Sequence, residues 1–566
     1  MSDKTRADLW RHVLTALGAM SACLALGTPA KASRPNLVIL MADDLGYSDI
    51  APFGAEIATP HLTKLAAEGC VLTNLHATPA GVTRAELLSG ADHHLVGMSA
   101  MYAAAGRQIG REAYQRFIAA DALSIAELLS DGGYHTYLSG RWGLGTSVEH
   151  GPRARGFEES FSVVQAANDQ IEPSRIDPKE HAAGPAYREN DVPAQIPAAA
   201  YSSDFLTDKL IKYIESHRSD GRPFLAYLGF TVPHFPLQVP DSLRTRYAGR
   251  YDAGYDAIRA QRIARQEVLG VIPRDFKSAP PQPAAVGRQF WQQLSPTARQ
   301  VEARRMEIYA AMIENMDANI GRLLRYLRER GLYENSFIVF LSGNGAATAF
   351  PLHRSIDYVD NRPDNMGRRN SFIFYSARWA EVSDAPFSRW KGKGNEGAIS
   401  VPGIVRLPRA RPSRCILSQY LQVRDLAPTL LELAGVPDPG AQYRGHAAVP
   451  MSGRSMLPLL LGKATASVHA ADEVFAGETS GEAYVRRGRW KAVLETPFEI
   501  NFNETADKEG VARLSLAHTP PLGWRLYNIE RDRGETTDLA ARNQATLRAL
   551  IDTYDRYAER VGVVAP

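Results

Sequence analysis

Short apolar runs alternate with stretches of helical periodicity along most of this chain, and that alternation restricts the fold more than any other feature. Leu37-Val38-Ile39-Leu40 reads as a buried strand that stops at Asp43-Asp44-Leu45-Gly46. Further strands are predicted at 134–138, 224–230, 336–341 and 401–407. The pattern is that of an α/β fold, a large and mostly parallel sheet flanked by helices. Thr59-Pro60 opens a helix as N-cap and first helical residue, with Leu62, Leu65 and Ala66 on its buried face. The strongest helix falls at 304–330, where Tyr309, Met312, Ile313, Met316, Ile320, Leu323 and Leu327 share one face and Gly331 ends the pattern. Those methionines are core residues rather than ligands.

Residues 247–303 are polar, carry Pro273 and Pro280-Pro281-Gln282-Pro283, and read as a long surface excursion from the main domain. After Leu461 the pattern changes to short strands around 482–494 and 524–529, followed by a helix near 543–561. The expected organisation is a signal peptide over 1–32, an α/β domain over 33–461, and a small C-terminal α+β subdomain with an antiparallel sheet over 462–566. Lys4, Arg6 and Arg11 precede the apolar stretch 13–27, and Ala30-Lys31-Ala32 supplies a small-x-small cleavage pattern. Export to the periplasm or the medium is therefore expected. Met20-Ser21-Ala22-Cys23 is a poor lipobox, which makes a lipoprotein anchor the lesser alternative. No later stretch reaches the roughly 18 apolar residues of a membrane span. The 65 basic and 62 acidic side chains give a net charge of +3, no argument for nucleic acid. Of three cysteines, Cys23 lies in the signal segment, and Cys70 and Cys415 either pair or stay free.

Two strands end in oxygen-bearing side chains. Asp43 and Asp44 follow the first, and Asn344, in Ser342-Gly343-Asn344-Gly345, follows the strand that starts at Ser336. Sites in open parallel sheets form at the carboxyl ends of strands, so these side chains can converge. Two carboxylates and an amide are hard ligands that suit Ca²⁺ or Mg²⁺ rather than zinc. An Asp-Asp-x-Gly run is equally readable as a turn with a helix cap.

Pro35-Asn36-Leu37-Val38-Ile39-Leu40-Met41-Ala42-Asp43-Asp44-Leu45-Gly46 resembles the opening of a sulfatase, of the bacterial arylsulfatase kind within the alkaline phosphatase superfamily. The resemblance continues through Thr59-Pro60-His61-Leu62, Leu87-Leu88-Ser89-Gly90-Ala91-Asp92-His93-His94 and Gly133-Tyr134-His135-Thr136-Tyr137. It extends to Phe230-Thr231-Val232-Pro233-His234-Phe235-Pro236-Leu237-Gln238, Asp425-Leu426-Ala427-Pro428-Thr429 and Leu526-Tyr527-Asn528-Ile529. Nearly the whole chain after the signal segment is covered, in order.

The resemblance implies sulfate ester hydrolysis by a formylglycine made from the Cys of a C-x-P-x-R motif, with a divalent cation, Ca²⁺ rather than Mg²⁺, on the sulfate oxygens. It implies Asp43, Asp44 and Asn344 as metal ligands, Arg84 beside the nucleophile, and His234 and Lys391 as sulfate-binding groups. The constellation departs from the family in four places. Ala80 stands where the Cys belongs, in Thr78-Pro79-Ala80-Gly81-Val82-Thr83-Arg84, and cannot become an aldehyde. Gly343 replaces the third metal carboxylate, while Arg141 and Gly143 replace the lysine and histidine of K-W-H-L-G. The expectation is a protein that lacks formylglycine, holds its cation weakly and binds a sulfated or phosphorylated small molecule or glycan. The alternative is an active metal-dependent sulfate or phosphate ester hydrolase that uses Thr78, Thr83 or metal-bound water. His93 and His94 are read as structural.

Overall fold

The computed structural model describes residues 34–564, apart from 100–105, 165–169, 172–186, 199, 285–287, 349–359, 410–414, 464–466, 480 and 496–522. The expected signal segment 1–32 lies outside the described residues.

The first apolar run becomes β1 (Asn36–Asp43), and it lies in the middle of the main sheet. Its side chains alternate between two cores: Leu37, Ile39 and Met41 enter one, Val38, Leu40 and Ala42 the other. Burial on both faces explains why the run is apolar throughout rather than alternating. The other strands of this sheet are β2 (Cys70–His76), β3 (His135–Arg141), β4 (Glu159–Val163), β5 (Tyr187–Glu189), β6 (Val192–Ala194), β7 (Phe224–Pro233), β8 (Ser336–Ser342), β9 (Ser400–Arg406), β10 (Cys415–Leu417) and β11 (Leu421–Gln422). Their order is β10-β2-β9-β8-β1-β7-β3-β4-β5-β6, with β11 beside β2. The five strands β8, β1, β7, β3 and β4 run parallel, as predicted. Two strands are reversed: β9 is antiparallel to both its neighbours β2 and β8, and β5 is antiparallel to β4 and β6 at the far side. The sheet is therefore mixed.

Helices cover both faces. One core takes side chains from α1 (Pro60–Ala67), α4 (Ser202–His217), α5 (Tyr255–Leu269), α6 (Pro296–Glu329) and α7 (Ala377–Ser383). The other takes them from α2 (Thr83–Ser89), α3 (Ile125–Asp131) and α8 (Leu426–Ala434). Helix α6 is longer than predicted because Ser295 and Pro296 start it: the Ser295 hydroxyl accepts the Ala298 N–H at 3.2 Å. At α1 the expected cap is not made. The Thr59 hydroxyl instead accepts the Ala51 N–H, and the Asp317 carboxylate on α6 accepts the His61 and Leu62 N–H groups at 3.0 and 2.8 Å. A residue distant in sequence thus satisfies that helix end.

Cys70 and Cys415 form a disulfide that ties β10 to β2, where the two residues sit in register. The stretch 247–303 is only partly a surface excursion. Its helix α5 buries Tyr255, Ile258, Arg262 and Gln266, at i, i+3, i+7 and i+11. Polar residues at two of those four positions masked the period in the sequence.

The C-terminal region forms a second sheet, β14 (Val474–Thr479), β15 (Glu482–Arg487), β16 (Trp490–Glu495) and β17 (Gly523–Asn528), antiparallel throughout. A short ribbon, β12 (Gln442–Tyr443) with β13 (His446–Ala447), precedes it. Helix α9 (Gln544–Val561) packs Leu550, Tyr554 and Tyr557 on the second sheet. Buried ion pairs join this sheet to the main body: Lys491 bridges Glu396 and Glu535 at 2.8 Å each, and Lys393 meets Glu482.

Candidate active site

The site is set by strand register. Because β1 is flanked by β7 and β8, Asp43 pairs with Pro233 and Ala42 with Ser342. The residues that follow these strands, Asp44, His234 and Asn344, therefore emerge at one end of the sheet. Arg141 ends β3 one strand further on. Arg84 comes from the first turn of α2, and Lys391 from the loop after α7.

These side chains meet around two carboxylates. Asp44 Oδ1 accepts hydrogen bonds from Lys391 Nζ at 2.6 Å and Asn344 Nδ2 at 2.8 Å. His234 Nε2 lies 3.5 Å from Asp44 Oδ2. Asp43 faces two guanidiniums, Arg84 at 3.3 Å and Arg141 in closer contact. Asp43, Asp44, Asn344, Arg84, Arg141 and His234 are all buried. The seven residues singled out around the expected cation and sulfate thus share one cluster. Two carboxylates face three permanent cations, Arg84, Arg141 and Lys391, which leaves an excess of positive charge suited to a tetrahedral oxyanion.

Burial by itself would raise the Asp44 carboxyl, but the Lys391 ammonium, His234 and the Asn344 amide together hold it below the usual carboxylate range. Burial pulls His234 down to about 3 against the attraction of Asp44, helped by the charges of Arg141 and Lys391. The imidazole is therefore neutral at physiological pH. Its Nδ1 lies 2.6 Å from the Phe235 carbonyl, which assigns the proton to Nδ1 and points the Nε2 lone pair at Asp44. Burial lowers Arg141 to about 10, and it stays charged.

Asp44 Oδ2 and Asn344 Oδ1 are buried and accept no hydrogen bond, while the Asp43 oxygens are met by the two guanidiniums alone. Each such group costs about 1–3 kcal/mol unless something satisfies it. A hard divalent cation would satisfy several at once, so the oxygen set fits one. The fit is incomplete at Gly343, which offers no ligand: a Cβ there would lie 3.1 Å from Met41 Cε and 3.6 Å from the Ala42 carbonyl.

Ala80 lies just ahead of α2 and is 8% exposed. The loop that carries Lys391 closes on it through the Gly392 N–H, which donates to the Pro79 carbonyl at 2.7 Å. Neither neighbouring threonine presents a nucleophile. Thr78 Oγ1 donates to the Ala80 carbonyl at 2.5 Å, and Thr83 Oγ1, 2.6 Å from Thr78 Oγ1, donates in turn to that hydroxyl. Thr83 Oγ1 also accepts the Thr78 N–H, so both hydroxyls are used up in shaping the turn. At Gly143, with φ +69°, a Cβ would meet nothing within 4 Å, but the left-handed backbone disfavours a side chain there.

His93 and His94 lie outside this cluster, in a network with Glu86, Asp92, Glu478 and Arg424. Asp92, His93 and His94 gather ligand atoms within 4.8 Å of one another. All four ring nitrogens nevertheless already face carboxylate or carbonyl oxygens. Three residues that support the site carried no recognised motif. Asp384 Oδ1 accepts the Tyr47 and Ala346 N–H groups and so ties together the loops after β1 and β8. Asp49 and Arg262 act behind the first of these loops. The i, i+3, i+7, i+11 spacing of α5 was the one signal for Arg262.

The Sulfatase family profile matches residues 35–436. The chain is 35% identical over 559 residues to an uncharacterised sulfatase of Schizosaccharomyces pombe, with 96% of each chain covered. It is 34% identical over 450 residues to an arylsulfatase of Klebsiella aerogenes, covering 77% of this chain and 95% of that one. Among solved structures, Ps i-CgsB in complex with k-i-k-neocarrahexaose superimposes with a TM-score of 0.62 at 22% identity, covering 93% of each chain. BT4656 in complex with D-glucosamine-2-N,6-O-disulfate gives a TM-score of 0.59 at 18% identity, covering 94% of this chain and 98% of that one. With the profile spanning most of the chain and two relatives above the level at which families are shared, this chain belongs to the sulfatase family of the alkaline phosphatase superfamily.

Proposed function

We propose that this protein is an exported member of its family that binds the sulfate or phosphate group of a small molecule or glycan without formylglycine hydrolysis. The observation that carries this reading is Ala80, a methyl group where the family's motif places its nucleophile, while the cations of the cluster remain in place. Lys391 and Arg84 supply charge and donors to the anion's oxygens, and Arg141 fixes Asp43. His234, neutral with its Nε2 lone pair directed inward, orients a donor or a cation rather than carrying charge. Asp43, Asp44 and Asn344 would hold a divalent cation, Ca²⁺ in preference to Mg²⁺ because Ca²⁺ accepts flexible oxygen sites whereas Mg²⁺ demands a near-ideal octahedron. When bound, that cation adds positive charge against the anion's oxygens. Lys391 competes with it for Asp44 Oδ1, and Gly343 withholds a carboxylate, so its binding is weak.

The engaged hydroxyls of Thr78 and Thr83 argue against a substitute nucleophile at this turn. Two solved neighbours are complexes with a disulfated glucosamine and a carrageenan-derived hexaose, which supports a sulfated sugar as ligand. The Cys70–Cys415 disulfide supports an oxidising compartment, in keeping with the leader-like N-terminus. Among the described residues no helix is long and apolar enough to cross a membrane.

Calorimetry with sulfate and sulfated saccharides, alongside an aldehyde-reactive probe and an aryl sulfate assay, tests the reading. Saturable heat with neither adduct nor turnover is expected. A stoichiometric aldehyde adduct, or the absence of heat at millimolar ligand, would overturn it.

A further inference from the structure

We infer that Arg262, from the helix α5 of the segment 247–303, is a positioning residue that holds the Asp43–Asp44 turn in its binding geometry. This rests on the ligand reading above, but only for its functional consequence.

Asp44 is a non-glycine residue in the left-handed region, φ 64°. Such a conformation persists only where surrounding contacts impose it. Two contacts do so. The Tyr309 hydroxyl on α6 lies 3.3 Å from the Asp44 carbonyl and 2.7 Å from Asp49 Oδ2. The same Asp49 oxygen accepts the Gly46 N–H at 2.9 Å and closes the turn after Asp44. Asp49, a fully buried carboxylate, thus anchors this turn alongside Ser342 Oγ, which accepts the Leu45 N–H, and Asp384, which accepts the Tyr47 N–H.

Arg262 fixes it. Its NH1 donates to Asp49 Oδ1 at 2.6 Å, while Nε and NH2 grip Glu56 at 2.9 and 2.8 Å. The planar fork spans two carboxylates, and an ammonium cannot reproduce that geometry. The helix can approach because residue 54 is glycine at φ +104°, where a Cβ would lie 2.7 Å from the Arg262 carbonyl. One helical turn on, Gln266 Nε2 donates to the Ala385 carbonyl, next to the Asp384 that ties the Asp44 and Asn344 loops together. Helix α5 is thus a rear support for both loops of the site, though it touches no ligand-facing atom.

The test compares Arg262→Lys with Arg259→Lys, a variant on the same helix whose parent side chain donates to the Pro386 and Phe387 carbonyls. Hydrogen exchange of the peptide over 43–50 and calorimetric sulfate affinity are the two readouts, at matched distance below each variant's Tm. Exchange at 43–50 should speed up about tenfold in Arg262→Lys and sulfate affinity should fall about tenfold, with neither change in Arg259→Lys. If Arg262→Lys does not fold, the double variant Glu56→Gln/Arg262→Met, which removes both charges of that pair, takes its place with the same expectation. Wild-type protection at 43–50 in the Arg262 variant, or equal acceleration in both variants, overturns the inference. If wild-type protein binds no sulfate, the ligand reading fails, and the exchange data alone decide the role of Arg262.

Discussion

His94 offers a sharp test of the electrostatics that join the two sheets. Its ring is fully buried, with Nε2 3.3 Å from Glu478 Oε2 on β14 and Nδ1 3.4 Å from Asp92 Oδ1. Burial by itself would lower the imidazole, but the hydrogen bonds and charges of Asp92 and Glu478 push it up from 6.5 to about 9. At about 1.4 kcal/mol per unit, the charged form stabilises the fold by roughly 3 kcal/mol. Because the folded value lies above the unfolded one, this contribution is complete below about pH 6.5 and is lost as pH rises through about 9. In His94→Gln no such proton is bound. Urea unfolding followed by tryptophan fluorescence should show a gap between wild type and variant that narrows by roughly 3 kcal/mol between about pH 6 and pH 10. What remains at high pH measures the hydrogen bonds and packing of the ring. A gap that stays constant across that range would mean that His94 is neutral in the folded protein, and the reading of this network as a charged clamp would be wrong.

Removing the disulfide by Cys415→Ser opens a cross-link between residues 345 apart in sequence. Chain entropy sets a ceiling near 6 kcal/mol, with about 2–5 kcal/mol expected, readable as a lower Tm that thiol reductant reproduces in wild type and not in the variant. Gly343→Asp presses on Met41 Cε, 3.1 Å from the new Cβ. It should cost about 1–3 kcal/mol in denaturant unfolding, be relieved by Met41→Ala, and raise Ca²⁺ affinity in calorimetry. A Gly343→Asp protein with unchanged Ca²⁺ binding would show that the Asp43, Asp44 and Asn344 oxygens do not form a cation site. Lys391→Ala frees Asp44 Oδ1 from its contact at 2.6 Å. Sulfate affinity should fall at least about tenfold while Ca²⁺ affinity rises, and a parallel loss of both would contradict the competition inferred at Asp44.

Much of the site was legible because sulfatase motifs sit at strand ends. Asp43, Asp44, Asn344, His234 and Arg141 all occupy the carboxyl-terminal ends of parallel strands, where local sequence and sheet topology agree. Strand direction was less legible: 401–407 reads as one more buried run, and nothing within it reveals that β9 lies antiparallel to β8. The capping of α1 by Asp317 is equally invisible locally, because acceptor and donors are more than two hundred residues apart. The segment 247–303 misled for a related reason. Arg262 and Gln266 are polar yet buried, so a reading based on apolar periodicity places them in solvent.

The sequence by itself determined that the chain is an α/β sulfatase relative, which strands end at Asp43, Asp44 and Asn344, and that position 80 cannot supply an aldehyde. These follow from residue identity, and no arrangement in space gives alanine a nucleophile. Only the tertiary structure decided that Thr78 and Thr83 spend their hydroxyls on the turn, that Cys70 and Cys415 pair, and that Arg262 stands behind the Asp44 turn. Each of these depends on distances between residues that are free to adopt other neighbours until the sheet and its helices fix them.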